Sequence, residues 1–269
     1  MVKKLLKYDF YSFAKTILPM EIILLGIAVI TRLIQFLDNG STTYNIFNVS
    51  SIVLLCIAMV VCVVMTFFVC LVRFYKNLYT AQGYLTLTLP ATHRAHIISK
   101  LITSVLATLI SFISVIVAAL IAMLGDTANE VFKAFAYIMK HYFKYTGGHG
   151  VFYIIEAIVA LVAVIASGYL LFFACITIGQ MAKKNRILAA FGVFFIYYVI
   201  KQLLGTVLLV VYTFTKDYIP FDKIEQWVST HTLTFFHLLI CGIIVFNAVL
   251  AIVYFAITKH IMKKKLNLE

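Results

Sequence analysis

The feature that most constrains this chain is a set of six apolar runs. They fall at about 19–37, 52–72, 96–124, 151–181, 187–214 and 234–258. The cleanest, Ile52 to Val72, carries no charge and holds 14 Leu, Ile, Val or Phe residues. On the insertion scale each of these is worth about −0.3 to −0.6 kcal/mol at a helix centre, so the run gains on the order of −4 to −8 kcal/mol by entering a bilayer. A spanning helix needs about 20 mostly apolar residues, and every run meets or nearly meets that length. Barrel strands are about ten residues long and alternate in polarity; these runs do neither. The predicted fold is an all-α integral membrane protein with six transmembrane helices, forming a single transmembrane domain over residues 1–269.

Composition agrees with lipid as the solvent. The chain is 64% hydrophobic and 12% charged, against roughly 45–50% and 25% in soluble domains. Too few charges remain to clothe a water-soluble core. Of three prolines, Pro19 is expected to open the first span, where proline is tolerated, and Pro90 and Pro220 to lie in loops. The spans should therefore be continuous, unlike the broken helices of many ion-coupled carriers.

Lys and Arg set the orientation. Fifteen fall on one side: Lys3, Lys4, Lys7 and Lys15; Arg73, Lys76, Arg94 and Lys100; Lys183, Lys184 and Arg186; Lys259, Lys263, Lys264 and Lys265. Five fall on the other: Lys133, Lys140, Lys144, Lys216 and Lys223. By the positive-inside rule both termini and the 73–94 loop are cytoplasmic, and a bacterial cytoplasmic membrane is expected. The formal charge of +12 then reflects topology and anionic headgroups. Nucleic acid is not an expected partner, because the basic residues flank spans and form no common face.

The opening segment "MVKKLLKYDFYSFAKTIL" is basic then apolar, as a signal peptide is. Asp9, Ser12 and Lys15 interrupt it, however, and Val2, Leu5, Leu6, Phe10, Phe13 and Ile17 make one helical stripe. Residues 1–18 are accordingly expected to form an interfacial helix on the inner leaflet.

Two segments between spans carry helix signals. "DTANEVFKAFAYIMKHYFKYTGG" opens with the capping-box pattern Thr127-x-x-Glu130. It carries an apolar stripe of Val131, Phe135, Ile138, Met139 and Tyr142, and ends at Gly147–Gly148. "PFDKIEQWVSTH" is a shorter candidate, with Asp222 as cap and the single tryptophan, Trp227, at the interface. Both are read as amphipathic helices on the outer surface, either shielding the bundle or gating a substrate.

Several chemistries are missing. There is no P-loop and no nucleophile-elbow or paired-histidine zinc motif, so no catalytic residue is assigned. The five cysteines, Cys56, Cys62, Cys70, Cys175 and Cys241, all lie inside spans without a C-x-x-C pair; they read as small buried residues, not disulfides. His93 and His96 are three apart, but no carboxylate is near in sequence, and no metal site is assigned. His237 is expected to be an interhelical hydrogen-bond partner.

Four charges fall inside spans: Glu21, Arg32, Glu156 and Lys201. Glu21 is placed at the wetted inner interface. At about 1.5 Å per residue, the other three come near one level in the outer half of the bilayer. An intramembrane charge is a functional hypothesis by default. A Glu156–Lys201 pair, with Arg32 joining it or snorkelling, would either fix helix register or line a cargo path.

Between the second and third spans lies "RFYKNLYTAQGYLTLTLPATHRAHIISK", residues 73–100. Gly83 should break the preceding helix, Pro90 should stop the following turn, and Thr92 should cap the third span. Tyr84, Leu85, Leu87 and Leu89 are too apolar to hang in cytosol uncovered. They either pack back on the spans or enter a groove on a partner.

The string "GYLTLTLP" with Arg94 and the following "SK", the opening "MVKKLLKYDF", "ITIGQMAKKNR" and the tail "KKKLNLE" together resemble the ABC-2 type permeases of ABC exporters from Gram-positive bacteria. That resemblance implies a coupling helix in the 76–90 region that docks into a separate ATPase subunit, through Asn77, Tyr79, Gly83, Tyr84, Leu85, Thr86 and Leu87. Acidic residues often precede this string in the family, where Ala81 and Gln82 stand here. The resemblance further implies two copies of an ABC ATPase, a second permease, identical or homologous, and alternating access. This chain would bind no cofactor, ATP and Mg being held by the partner ATPase. The cargo would be amphipathic or hydrophobic: a peptide toxin, an antimicrobial peptide or a lipid-like drug. The rival readings are a membrane immunity protein, an ion-coupled carrier working without ATP, and an intramembrane enzyme.

Overall fold

The computed structural model describes residues 2–37, 42–80, 83, 92–124, 126–182, 184–215 and 221–264. The helices are α1 (Val2–Phe36), α2 (Thr42–Tyr79), α3 (His93–Ala122), α4 (Asp126–Thr146), α5 (Gly150–Gly179), α6 (Arg186–Thr215), α7 (Phe221–Thr230) and α8 (Thr232–Lys264), with a short 3-10 turn at Gly147–His149. Among the described residues there is no strand. Among the described residues six helical stretches are long and apolar enough to cross a membrane, and each overlaps one of the six runs read from the sequence. The large exposed hydrophobic side chains, such as Leu208 and Ile252, have lipid as their natural neighbour.

The first unit, Met1–Tyr145, is built on α1, α2 and α3, with α1 packed along α3 and both against α2. Asp9, Phe13, Ile17, Glu21, Leu24, Ala28 and Thr31 form the buried face of α1. They step by three or four residues, as one face of a helix must. Leu24 and Ala28 meet Leu55 and Cys62 of α2 and Ala118 of α3 in an apolar layer. The contact face of α3 is instead small and hydroxylated: Ser99, Thr103, Ser104, Ala107, Thr108 and Ser111 are buried. Small residues let membrane helices approach closely. The hydroxyls of Thr103 and Thr108 return to the carbonyls of Ser99 and Ser104 at 2.9 Å each, so their burial strands no donor.

A separate interfacial helix at 1–18 is not what forms. α1 runs unbroken from Val2 to Phe36 with Pro19 inside it. The stripe seen in the sequence also shifts: Phe13 and Ile17 are buried, but Phe10 is exposed and Asp9 takes the inward position. The buried face is covered by α3. Thr92 caps α3 as expected, in extended backbone geometry (φ −70°, ψ 148°), accepting from the Ala95 amide.

The second unit, Thr146–Glu269, centres on α5, which packs along α8 on one side and α6 on the other. Tyr169, Leu170, Phe173, Ala174 and Cys175 of α5 are buried. Ser167 donates to Asn247 Oδ1 of α8 at 2.7 Å, and Tyr254 of α8 donates to the Tyr197 hydroxyl of α6 at 2.8 Å. Phe172 stacks on Phe194 with centroids 5.0 Å apart. α6 itself has no buried residue. The expected helices in the 127–146 and 220–231 segments are present as α4 and α7. The side chains of Thr127 and Asp222, the expected caps, lie outside the described residues.

Candidate functional site

In the first unit, polar groups gather where α1 meets the ends of α2 and α3. The Asp9 carboxylate on α1 accepts from Ser99 Oγ at 2.7 Å and from Lys100 Nζ. Both charged side chains are almost wholly buried, 5% exposed for Lys100 and 11% for Asp9. One turn further along α1, the Arg73 guanidinium at the end of α2 donates to Ser12 Oγ at 2.8 Å and to Thr16 Oγ1. It also covers the Phe13 ring, 4.7 Å from its centroid. The two helix ends that bracket the 81–92 segment are therefore fastened to the same stretch of α1. Sequence reasoning took Asp9 as an interruption and Arg73 and Lys100 as markers of orientation. The signal it passed over was an acid at three- and four-residue spacing from Leu5, Leu6 and Phe13, hence on the apolar stripe.

Deeper along the same face, Glu21 is 3% exposed and not wetted at an interface as expected. Its carboxylate accepts from Ser111 Oγ and from Cys62 Sγ at 3.3 Å. Ser111 also pairs with Thr66 Oγ1 at 2.7 Å. Cys62 thus serves as a donor, while Cys56 and Cys241 are exposed on their helices. A polar column of α1, α2 and α3 side chains runs from Asp9 to Glu21, and each helix contributes to it. Such a column ties register tightly, because a slip of one residue strands several buried polar groups at once.

The residues assigned to coupling divide. Phe74, Leu78 and Tyr79 are buried, and the Tyr79 ring meets Phe74 edge-on at 5.9 Å. Tyr79 is therefore committed to holding the end of α2, with little surface to offer a partner. Asn77 is half-buried. Gly83 is buried and its amide donates to the Thr80 carbonyl at 2.6 Å. A Cβ there would stand 2.5 Å from the Leu78 carbonyl oxygen, which only glycine avoids. Tyr84, Leu85, Thr86 and Leu87 lie outside the described residues.

In the second unit, Glu156 does not face Lys201. Its carboxylate meets His237 Nδ1 of α8 at 2.8 and 2.9 Å, fulfilling the interhelical role expected of His237. The imidazole stacks on Tyr153 at 3.9 Å, with His149 edge-on at 5.6 Å. Tyr153 in turn donates to the Leu233 carbonyl. Lys201 is exposed on α6 and, among the described residues, makes no ion pair. Arg32, in the first unit, donates to Gln35 Oε1 at 3.2 Å. Depth along a span gives a residue's level but not its azimuth, and azimuth chooses the partner.

A double-mutant cycle checks this exchange of partners. Glu156→Gln and His237→Phe should couple by about 0.6 kcal/mol, the average for interhelical hydrogen bonds in membranes, and by no more than about 1.7. Glu156→Gln and Lys201→Met should add within about 0.3–0.5 kcal/mol. Thermal unfolding of the three single and two double variants in detergent measures both; additivity at His237 would overturn the pairing.

His96 is buried, and neither its Nε2 nor His93 Nδ1 has a hydrogen-bond partner among the described residues. Among those residues no three His, Cys, Asp or Glu side chains assemble for a metal. No protein-family model, curated protein or solved structure matches this chain.

Proposed function

We propose that this chain is the permease subunit of an ABC-2 type exporter, moving an amphipathic or hydrophobic cargo with ATP hydrolysed by a separate ATPase. The observation that carries the reading is the mechanical frame around the "GYLTLTLP" segment. Motion imposed on that segment pulls on the end of α2 and the start of α3. Arg73 and Lys100 there are held by Ser12, Thr16 and Asp9 of α1, so the pull reaches three spans together. A chain without a P-loop, with an apolar segment read as cytosolic between two helix ends that are fastened to α1, suits a transporter powered in trans.

The reading further takes the 73–94 loop and both termini as cytoplasmic, on the fifteen-to-five division of Lys and Arg. It takes two ATPase copies and a second permease, identical or homologous, as partners, with ATP and Mg held by the ATPase. The cargo class rests on the scarcity of charge in the spans. Arg32 in the first unit and Lys201 in the second, each with no acidic partner among the described residues, are separate candidates for polar contact with a cargo.

The test is purification in mild detergent beside a P-loop ATPase. The wild-type chain should retain that ATPase. Tyr84→Glu combined with Leu85→Glu should weaken retention by more than about tenfold, because a central aromatic anchor is worth roughly 2 kcal/mol or more. Nucleotide-driven export should fall with it. Attachment and export that survive the double change would remove the basis of the proposal.

A further inference from the structure

The helix α4 has a use beyond the transport reading, and it does not depend on that reading. At roughly 100° per residue, Val131, Phe135, Ile138, Met139 and Tyr142 form one arc, flanked by Phe132, Phe143 and Tyr145. Lys133, Lys140 and Lys144 fall within about 40° of one another on the opposite side. In the structure this apolar arc is not used as a core. Phe132 is 56% exposed, Phe135 60% and Ile138 61%. Among the described residues, no helix of its own unit packs along α4.

We propose that α4 lies flat in the headgroup layer of the bilayer. Its apolar arc enters the acyl boundary, and Lys133, Lys140 and Lys144 contact anionic lipid phosphates. Three observations on the chain select this occupant. α4 follows the candidate span His93–Ala122 and forms the opening part of the long apolar stretch Asn129–Gly179, whose remainder is α5, so the chain enters α4 from one membrane-competent helix and leaves it for another. Gly147 has a φ of 55°, a left-handed turn that glycine permits, between the end of α4 and the start of α5. The aromatic content of the arc and the lysines opposite it are the composition of an interfacial helix. A spanning role is ruled out by those same lysines, each of which would be costly in hydrocarbon.

The full-length protein can be reconstituted in phosphatidylcholine vesicles, with and without phosphatidylglycerol. Exposed Cys56 and Cys241 are changed to Ala, the other three cysteines being buried. A nitroxide is then placed singly at position 135, 138, 140 or 144. The ratio of oxygen to aqueous nickel-reagent accessibility should be at least about threefold higher at 135 and 138 than at 140 and 144, as for a helix at the interface. Phosphatidylglycerol should lower nickel-reagent accessibility at 135 and 138 further. Lys133→Gln, Lys140→Gln and Lys144→Gln together should abolish that response. Equal aqueous access at all four positions would mean that the helix stands clear of the membrane. Shielding of 135 and 138 from both reagents would mean that protein covers the arc, from this chain, a second copy or a cargo. A triple variant with an unchanged phosphatidylglycerol response would remove the lysine contacts. Any of the three overturns the proposal.

Discussion

Changing Asp9 to Ala should destabilise the first unit by about 3–5 kcal/mol, the cost of breaking a buried ion pair from one side. The reason is the state of what remains. Lys100 is 5% exposed and its ammonium is bonded to Asp9. Without the carboxylate, a cation and the Ser99 hydroxyl would sit in a buried helix contact stripped of the acceptor they share. At about 2–4 °C per kcal/mol for a unit of this size, the unfolding midpoint in detergent should fall by roughly 6–20 °C. Lys100→Met alone should cost a comparable amount by stranding Asp9. Asp9→Leu with Lys100→Met should be much milder than either single change, because a well-packed apolar pair often equals or exceeds a buried ion pair in stability. Thermal unfolding of the three variants decides it. Single changes that move the midpoint by less than about 2 °C would show that the pair is solvated and that α1 is not clamped to α3 through it.

The same residues show what could be read from the chain alone and what could not. Long apolar runs locate spans because insertion free energy is a sum over a window and tolerates errors in any one position. The runs ending near Val72 and beginning near His96 are found in α2 and α3. Thr92 could be named as a cap because capping is decided within three residues. Pro19 reads as the start of a helix, because the ring suits a first turn, whereas α1 continues through it from Val2 to Phe36. Distance from the membrane edge places Glu21 at the interface, whereas helical phase turns it inward, where it is buried. Counting by three and four from Asp9 through Phe13 and Ile17 reaches Glu21 directly, then Leu24 and Ala28. An acid in that phase needs protein donors, and Ser111 and Cys62 supply them from 90 and 41 residues away. Such partners become visible only when helices are set side by side. For Glu156, likewise, depth along α5 was in hand but the contact with α8 was not.

Gly83 and Gly179 offer the second large effect, and a contrast that separates stability from coupling. At Gly83 an added Cβ would lie 2.5 Å from the Leu78 oxygen and 2.6 Å from its carbonyl carbon. Both are backbone atoms, so no side chain can step aside. Gly83→Ala must open the turn in which the Gly83 amide meets the Thr80 carbonyl at 2.6 Å, at a cost of about 1–3 kcal/mol for overpacking. That cost falls at the tip of α2, beyond the clamp at Arg73, and the segment after it is re-aimed. Unfolding should therefore move little, while, on the proposed exporter reading, retention of an ATPase partner should drop by about tenfold for each 1.4 kcal/mol of lost docking. At Gly179 the Cβ would meet Ala190 N at 2.6 Å and Ala190 Cα at 2.7 Å, again backbone, but between α5 and α6. Gly179→Ala should push those helices apart and lower the unfolding midpoint by several degrees, at about 2–4 °C per kcal/mol, while the ATPase is still captured by the folded fraction. Crossed outcomes of this kind would mark the 83–92 segment as a docking element distinct from the bundle. If Gly83→Ala instead lowers the midpoint as much as Gly179→Ala and leaves capture intact, the segment is only a connection between spans, and the lever has no fulcrum at Arg73 and Lys100.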